Sequence, residues 1–441
     1  KYLYAMTDPG NAALFVNLIG DIESIYRHYE GAESQSAAFV RYGGQLRGTF
    51  LDHFGFFVKG TNGRFWGNKD AGRTINELKF NYKFNADPNI LTATEYFDNT
   101  EGYFTAQNDF LKFKIGRDRH TIGYGPVKQV LGDNIPQFDY ISFNIDYKIF
   151  SFSYFHGKLL GDVTKTIDTV HGELTSVEEK YLGYHRFGLN LSRDFTFGIG
   201  EMIIYSNRPL DFTYVNPFNF YKSAEHANQD RDNSLLFLDF TNNTVKGLKF
   251  YGTILIDDID FNKLGSGWYG NQLSYNFLVN SSNLYGCLPL ETSVQYLRTE
   301  PYVFTHRITG NNFANSGYSL ADPLQPNSDM LSLSLNYRPT YRLKLGAVFS
   351  FMRHGANELN ADGSLKKNVG GDIAVGHRNN DATEVKFLEG VREYYRSITF
   401  TAVFEPYNDY FINGSLILQN NSLSMAHQKY LSAYLLINLR I

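Results

Sequence analysis

A short run of alternating charge, Arg117-Asp118-Arg119-His120, follows the apolar-alternating segment Leu111–Ile115. Guanidinium groups form paired hydrogen bonds with carboxylates and phosphates, so two arginines at this spacing suit an acidic saccharide or another anion. The same residues would equally serve as a charged network that braces a loop. Arg298 adds a further guanidinium. We therefore take Arg117, Asp118, Arg119, His120 and Arg298 as candidate ligand-binding residues and leave both interpretations open.

Three carboxylates, Asp257, Asp258 and Asp260, stand at the end of the apolar segment Leu248–Ile256. Carboxylates in a pair can work as general acid and base, or they can bind a cation. The simpler interpretation is that they end a strand in water. We predict that simpler role.

The run Asn216–Asp232 is dense in Asn, Asp, Glu and His, which supply the oxygen ligands that calcium prefers. Its spacing lacks the regular ligand pattern of a dedicated calcium loop. A solvated external loop is the simpler interpretation. Phe218, Phe220 and Tyr221 are apolar for such a loop, so we expect part of it to fold inward or to pack on a rim.

Motifs of the common catalytic sites do not occur in the chain. There is no Gly-x-Ser-x-Gly elbow, no P-loop and no His-Glu-x-x-His zinc motif. Cys287 is the only cysteine, so neither an intramolecular disulfide nor a cysteine-based metal site can form. We expect a protein that is not an enzyme, with no catalytic residues, no metal site and no cofactor.

The elements that position these residues are predicted to be β-strands. In the segment Tyr430–Ile441 apolar side chains recur at every second position, which is the period of a strand. The pattern recurs along nearly the whole chain, with an apolar and aromatic face opposite a polar one. A closed barrel in a bilayer accommodates this pattern, because lipid covers the apolar face and closure leaves no unpaired edge.

Composition supports the same architecture. The mean hydropathy is −0.33, and the apolar runs are far shorter than the roughly 20 residues that a spanning helix needs. Aromatic residues make up 16% of the chain, with 32 Tyr and 37 Phe, and barrel strands place aromatic side chains at both membrane interfaces. The net charge of −4 gives no basic surface for nucleic acid. The first ten residues lack the pattern of an export signal, so we expect either that such a signal was removed before this numbering begins or that the protein is not exported.

Connections between the predicted strands alternate in length. Short turns are predicted at Ser192–Asp194, Arg338–Thr340 and Glu405–Asp409. Long polar connections are predicted at Gly157–Lys180, Ser206–Asn233, Thr299–Ser328 and Arg353–Arg392. Short periplasmic turns and long extracellular loops give this rhythm in bacterial outer-membrane barrels.

We predict one all-β domain over residues 1–441, a transmembrane antiparallel up-and-down β-barrel of about 18–20 strands. The N-terminal part, residues 1–30, alternates less cleanly and is open between strand and a short plug, helix or extension. Polar residues such as His185, Arg186, Gln295 and His306 are expected in the lumen, together with Arg298. The strand candidates lie near residues 20–29, 39–50, 54–61, 75–84, 90–97, 102–108, 110–117, 139–147, 149–156, 181–191, 195–205, 234–240, 247–257, 268–279, 287–298, 329–338, 342–353, 393–404, 409–420 and 430–441.

The run GRDRHTIGYGPVKQVLGDNIPQFDYISF (Gly116–Phe143) resembles a segment of the Wzi-type capsule-assembly family of outer-membrane barrels, in its Bacteroidetes-like version. Further similar segments follow in family order: Gly183–Ser192, Phe197–His226, Tyr251–Asp258, Leu297–Arg307, Pro326–Asp329, Arg353–Asn357 and Asn368–Asp372. Gln295 departs from the pattern, because a Glu is expected there in related sequences.

This resemblance implies an 18-stranded barrel in the bacterial outer membrane that binds capsular or other surface polysaccharide and is not an enzyme. Capsular polymers are often acidic, which gives Arg117 and Arg119 a candidate role. The implied partners are outer-membrane lipid, surface polysaccharide and other outer-membrane proteins, without nucleic acid. Two alternatives stay open: a passive or substrate-specific diffusion porin, and a structural partner in an outer-membrane complex.

Overall fold

The computed structural model describes residues 2–9, 11–81, 84–85, 96–170, 172–282, 286, 288–321, 324–423 and 427–440. Cys287 and the predicted strand residues 90–95 lie outside this part of the chain. Most of the described residues belong to one antiparallel sheet.

The sheet closes on itself as an 18-stranded barrel, in which consecutive strands are neighbours and the last strand pairs with the first. The predicted fold class is confirmed. Strands are numbered in chain order, and the barrel strands are β2 (Ala12–Tyr29), β3 (Gln35–Phe50), β4 (Phe54–Gly67), β5 (Tyr96–Gln107), β6 (Leu111–Asp118), β7 (Phe138–Tyr147), β8 (Phe150–Asp168), β9 (Gly172–Ser192), β10 (Phe195–Ser206), β11 (Asn233–Asn242), β12 (Leu248–Asp258), β13 (Gln272–Ser282), β14 (Leu290–Thr299), β17 (Ser328–Thr340), β18 (Leu343–Ala356), β21 (Val391–Tyr407), β22 (Tyr410–Ser422) and β23 (His427–Arg440).

Five short strands lie outside this ring or extend it: β1 (Tyr4–Asp8), β15 (Ala314–Asn315), β16 (Tyr318–Ser319), β19 (Glu358–Leu359) and β20 (Leu365–Lys367). The N-terminal residues that the sequence left open between strand, plug and helix form β1 and β2. β1 folds back on the start of β2, with Asp8 opposite Ala12. β1 therefore pairs with the first residues of β2, Ala12–Val16, which β23 does not reach because its pairing with β2 begins at Ile19.

The seam between β2 and β23 is held by inward-facing polar groups as well as by the backbone ladder. The Tyr434 hydroxyl donates to Glu23 Oε1 at 2.6 Å, and Asn438 donates to Asp21. Arg41 on β3 forms ion pairs with Asp21 at 3.0 Å and with Glu77 at 2.6 Å. Glu77 belongs to the connection after β4, so one guanidinium joins the seam to that loop.

The two ends of the barrel differ in their connections. At the short-turn end the strands are joined by residues 51–53, 108–110, 148–149, 193–194, 243–247, 283–289, 341–342 and 408–409. At the long-loop end they are joined by residues 30–34, 68–95, 119–137, 169–171, 207–232, 259–271, 300–327, 357–390 and 423–426. The predicted alternation of short turns and long loops is therefore present, except that the connections 30–34, 169–171 and 423–426 at the long-loop end are short.

Two local predictions are wrong. The predicted connection Gly157–Lys180 is mostly strand, because β8 and β9 continue as a hairpin joined at 169–171; its Thr and Val residues favour strand although the segment is polar. The predicted strand 75–84 contains the helix Asn76–Lys79 instead. Ile75 and Leu78, three positions apart, are buried together, which is a helical and not a strand spacing.

Residues 96–97, the described part of the predicted strand 90–97, and the predicted strand 102–108 fall in or next to the single strand β5. The short helices of the described chain are Lys69–Gly72, Asn76–Lys79, Phe212–Val215 and Tyr221–Ala227. No helix among the described residues has the length and apolar character needed to cross a membrane.

Side chains alternate between the lumen and the outer surface along each strand. On β17 Leu331, Leu333 and Leu335 are exposed on the outside, whereas Ser332 and Ser334 are buried inside. On this strand polar groups therefore face the lumen and apolar groups cover the outer wall, as the pattern predicts.

This alternation corrects part of the predicted lumen set. Arg186 and Gln295 face inward, but their strand neighbour His185 and the residue Arg298 face outward. His185 and Arg186 are adjacent on one strand, so they cannot share a face. His306 lies in the loop 300–327, not on a barrel strand.

Candidate functional site

Long loops fold into the barrel at the long-loop end and fill part of it with an apolar core. Residues from loops 119–137, 300–327 and 357–390 pack on inward-facing residues of β7 to β12. The loop residues of this core are Val130, Leu131, Ile135, Val303, Phe304, Phe313, Ala314, Leu320, Ala321 and Ile373. This half of the lumen therefore resembles the interior of a globular domain and not a water-filled channel.

Gln295 fastens the loop 119–137 to the inner wall. Its side chain is fully buried, and Nε2 donates to the Val127 carbonyl at 2.7 Å and to Asn276 Oδ1 at 3.0 Å. Its Oε1 accepts from the Val127 amide at 3.2 Å. A Cβ at Gly125 would lie 2.7 Å from Gln295 Nε2, so a glycine allows this close approach. An amide fits here because it both donates and accepts.

Asn327 fastens the loops 300–327 and 357–390 to each other. It has a left-handed backbone (φ 55°), which asparagine tolerates better than most residues. Its Nδ2 donates to the Gly355 carbonyl at 2.9 Å and to the Glu389 carbonyl at 3.0 Å, and its Oδ1 accepts from the Leu388 amide at 2.6 Å. A Cβ at Gly355 would collide with Asn327 Nδ2.

The four sequence-adjacent candidates, Arg117 to His120, diverge in the structure. Arg117 points outward from the end of β6 and forms a two-bond ion pair with Asp139 of β7, at 3.0 and 2.8 Å. Asp118 points inward, where it accepts from the Tyr140 hydroxyl at 2.6 Å and pairs with Lys114. Both charges are used in contacts between barrel strands.

The other two candidates of this run pack against aromatic rings. The Arg119 guanidinium lies 5.5 Å from the ring centre of Phe80. His120 lies 5.0 Å from the ring of Tyr140 and 4.9 Å from that of Phe155. Burial lowers the pKa of His120 to about 4, so the ring is neutral at pH 7. The structure therefore does not bring the four residues together on one surface.

Arg298 lies on β14, on the opposite side of the closed sheet from β6. Its guanidinium pairs with Glu300 at 2.6 Å and lies 3.8 Å from the ring centre of Phe387. It lines a cavity of about 450 Å³ on the outer side of the barrel, between loops 259–271 and 357–390. We call this the wall cavity; its other lining residues include Trp268, Tyr269, Tyr275, Glu300, Lys386 and Phe387.

A second cavity of about 370 Å³, the rim cavity, adjoins it at the long-loop end. Tyr269 lines both cavities and stacks on His377, with ring centres 3.5 Å apart and planes 11° from parallel. The rim cavity is lined by Lys222, Glu225, Asp230, Asp232, Asn233, Ser234, Asp257, Asp258, Tyr269, Gln272, Thr305, His306, Arg307, His377 and Asn379.

The rim cavity combines cations, carboxylates and neutral donors. Burial opposes the charge of Lys222, but the Glu225 carboxylate, 3.2 Å away, raises its pKa above the ordinary value. Burial lowers the pKa of His306. Arg307 lies at the same cavity and donates to the Asp230 carbonyl. Such a mixture of a flat aromatic face and converging polar groups suits a polar ring with many hydroxyl groups.

The three aspartates that end β12 do not form a catalytic pair. Asp257 points inward and accepts from the Phe304 amide at 2.7 Å, whereas Asp258 points outward. Asp260 accepts from the Asn262 amide at 3.0 Å and caps a short turn. Within the described residues, no three His, Cys, Asp or Glu side chains are grouped to hold a metal ion.

A third cavity, the lumen cavity, lies inside the barrel beneath loop 119–137 and measures about 310 Å³. Arg186 and Asp239 face it as a two-bond ion pair, with both distances 2.6 Å. Tyr124 covers it from the loop and stacks on Tyr251 at 4.3 Å.

Sequence reasoning missed Tyr269, His377 and Asn327. Tyr269 stands in the glycine-rich segment Gly265–Gly270, and His377 follows about a hundred residues later, so no local spacing connects them. The fold brings both to one rim. Asn327 carries a weak signal, because Asn is frequent where the backbone is left-handed.

No family model matches the chain, and no curated protein gives a significant match. Among solved structures the chain is similar to Wzi of Escherichia coli, which is described as an outer-membrane protein involved in group 1 capsule assembly and as a carbohydrate-binding β-barrel. The two chains share 10% identity with a TM-score of 0.58, and the match covers 95% of this chain and 84% of that one. It is also similar to Pseudomonas aeruginosa OccK8 (OprE), with 10% identity, TM-score 0.53 and coverage of 97% and 98%. A third similar structure is OccK5 (OpdH) of the same organism, with 10% identity, a TM-score of 0.50, and coverage of 97% of this chain and 98% of that one. At this identity the likeness concerns the fold alone, which is that of a large outer-membrane β-barrel.

Proposed function

We propose that this chain resides in the bacterial outer membrane and binds surface polysaccharide at its long-loop end, supporting the polymer's assembly or attachment at the cell surface. The observation that carries the proposal is the pair of adjoining cavities at that end. They share Tyr269, so an extended chain of sugar rings can occupy both at once.

The charge and rigidity of the site support this assignment. Lys222 and Arg307 line the rim cavity, while Arg298 and Lys386 line the wall cavity, which suits a polymer with acidic groups. The loops that build both cavities are fixed to each other and to the apolar core, as at Asn327. A site with fixed loops loses little conformational entropy when a ligand binds.

The five predicted ligand residues remain predictions. Arg298 lines the wall cavity and belongs to the proposed site. Arg117 is half-exposed and paired with Asp139 on another part of the barrel. Because Asp118 faces inward and Arg119 and His120 pack on aromatic rings, Arg117 alone represents this alternative position on the outer wall, and a binding experiment must include both Arg298 and Arg117.

A binding measurement with matched variants tests the proposal. Purified protein is applied to a panel of acidic and neutral bacterial polysaccharides, with Tyr269→Ala and Arg298→Ala compared with Arg117→Ala. We expect binding that is lost in the first two variants and kept in the third. If binding is lost only in Arg117→Ala, the binding site lies at the end of β6 and not at the two cavities. An absence of binding by the wild type, together with unchanged capsule in a deletion strain, refutes the function.

A diffusion porin is the second candidate, and the lumen cavity favours it. The Arg186–Asp239 pair and Tyr124 give this cavity the polar and aromatic lining of a solute pathway. Planar-bilayer conductance separates the two functions, because large steady currents indicate a porin and near-silence a filled barrel. Copurification from native membranes tests the third alternative, a structural role in a larger complex.

A further inference from the structure

The outer wall carries a polar patch where the alternation predicts apolar side chains. On β9 and β10 the outward positions nearest the short turns are apolar, as at Phe187 and Ile199. His185 and Glu201 lie two residues farther from the short turn on these strands, and they also face outward. Their side chains form an ion pair or hydrogen bond of 3.1 Å and are only 5% and 4% exposed.

The loop 207–232 covers this patch by folding back along the outside of the barrel. Glu201 Oε2 accepts from the backbone amide of Tyr221 at 2.9 Å, at the start of the helix Tyr221–Ala227. The hydroxyl of Tyr154, an outward residue of β8, donates to the Val215 carbonyl at 2.7 Å. These contacts pair the Glu201 carboxylate and the Tyr154 hydroxyl of the wall with backbone groups of the loop, while His185 Nδ1 has no hydrogen-bond partner.

The loop is further fixed by its own ion pair and by aromatic packing. Arg208 donates two hydrogen bonds of 2.7 Å to the fully buried Asp232, which also accepts from the Tyr214 hydroxyl at 2.6 Å. Tyr214 and Tyr221 are buried in one cluster against the outward residues of β9 and β10. The loop therefore lies on the wall in a defined conformation.

The first half of the loop, residues 209–220, exposes mainly apolar side chains, whereas the second half exposes polar ones such as His226 and Asp230. Phe212 is 80% exposed, Phe218 69% and Phe220 55%. Phe218 stacks on the wall residue Phe152 at 5.3 Å, and Phe152 lies 4.5 Å from Phe187. Phe218 is thus continuous with the outward apolar surface of the strands, which is the surface that lipid covers in a barrel of this kind.

We propose that residues 209–220 of loop 207–232 are part of the lipid-facing surface, and that Phe212, Phe218 and Phe220 contact acyl chains in the bilayer leaflet nearest the long-loop end. The loop covers a polar patch of the wall with aromatic side chains, while the Val215 carbonyl and the Tyr221 amide are bonded to the wall beneath it. This inference rests on the membrane location proposed above, but not on polysaccharide binding.

Fluorescence quenching by brominated acyl chains tests the proposal. The native Trp66 and Trp268 are replaced by Phe, and one Trp is introduced at a time as Phe218→Trp, Leu333→Trp or Lys366→Trp. Leu333 lies on the outward face of β17, and Lys366 lies in an exposed hairpin at the long-loop end. The proteins are reconstituted in phosphatidylcholine bilayers with and without bromine on the acyl chains.

We expect Phe218→Trp to lose fluorescence to an extent comparable with Leu333→Trp, whereas Lys366→Trp keeps its fluorescence. Quenching of Leu333→Trp without quenching of Phe218→Trp overturns the proposal and assigns the aromatic face to water or to a protein partner. If Leu333→Trp is also unquenched, the membrane location itself fails. The two failures are therefore distinguishable.

Discussion

The substitution Gln295→Glu is expected to release the loop 119–137 from the inside of the barrel. The change replaces a buried amide by a carboxyl group of the same size. A carboxylate cannot donate, so the hydrogen bonds to the Val127 carbonyl and to Asn276 Oδ1 are lost, while the bond from the Val127 amide remains.

The magnitude follows from these contacts. Two buried acceptors lose their donor, at about 1–3 kcal/mol each, and the carboxylate faces two oxygens without a cation. We take a total of about 3 kcal/mol as a conservative value, which is about a hundredfold in the ratio of released to packed loop, since about 1.4 kcal/mol corresponds to a factor of ten.

Planar-bilayer conductance measures this change, because a released loop widens the path through the lumen. We expect more frequent or larger open events for Gln295→Glu than for the wild type. Gln45→Glu is the matched control: Gln45 is also a buried lumen glutamine, but it bonds to Asn17 of the neighbouring strand and not to a loop. It is expected to keep the wild-type conductance.

A folded Gln295→Glu barrel with wild-type conductance contradicts the assigned role of Gln295. Equal changes in both variants show that any charge in the lumen alters conductance, which also removes the argument for a specific contact. Heat-modifiable migration in gels establishes beforehand that each variant is folded.

Three further predictions concern other contacts. Asn327→Ala removes the side-chain partner of two backbone groups in loop 357–390 and of one at the end of β18, and is expected to destabilise the loop 357–390 by about 3 kcal/mol, seen as faster proteolysis than in Asn360→Ala, which changes an exposed hairpin. Burial lowers the pKa of His120 to about 4, so its contribution to stability is complete above about pH 6.5 and is lost as the pH falls toward 4; thermal unfolding of His120→Phe should lack that part of the pH dependence. Glu201→Gln weakens the attachment of loop 207–232, and limited proteolysis should cut that loop faster than in wild type.

Each of these predictions has a result that contradicts it. Equal proteolysis rates for Asn327→Ala and Asn360→Ala mean that the loops are held by their apolar core alone. An unchanged pH profile in His120→Phe means that His120 titrates as in water. A wild-type cleavage rate in Glu201→Gln means that aromatic packing suffices to hold the loop.

The strands were predictable because each barrel strand has one polar and one apolar side, and this shows in a single sequence. The segment Leu331–Leu335, for example, alternates Leu and Ser and is strand β17. The strand prediction failed near Leu78, where the apolar and polar residues follow no clear strand period. There Ile75 and Leu78 are buried against residues of the barrel strands, and the segment forms a helix. The hairpin of β8 and β9 was missed because polarity was taken as a sign of a loop.

The site was less predictable than the fold, because its residues meet only through contacts between distant loops. Tyr269 and His377 stack at the rim although they belong to different loops. Arg117 and Asp118 are adjacent in sequence, yet the strand geometry sends one outside and the other inside. Gln295 was recognised as a lumen residue, but its partner Val127 lies 168 positions away.

The pairing of β2 with β23 also constrains how the molecule is made. Glu23 and Tyr434 bond across the seam although 411 positions separate them, so ring closure must wait until the ribosome has delivered the last strand. Until the ring closes, β2 and β23 each carry an unpaired row of amides and carbonyls that can pair with other strands. We therefore expect the unfolded chain to aggregate unless these two edges are shielded until they meet.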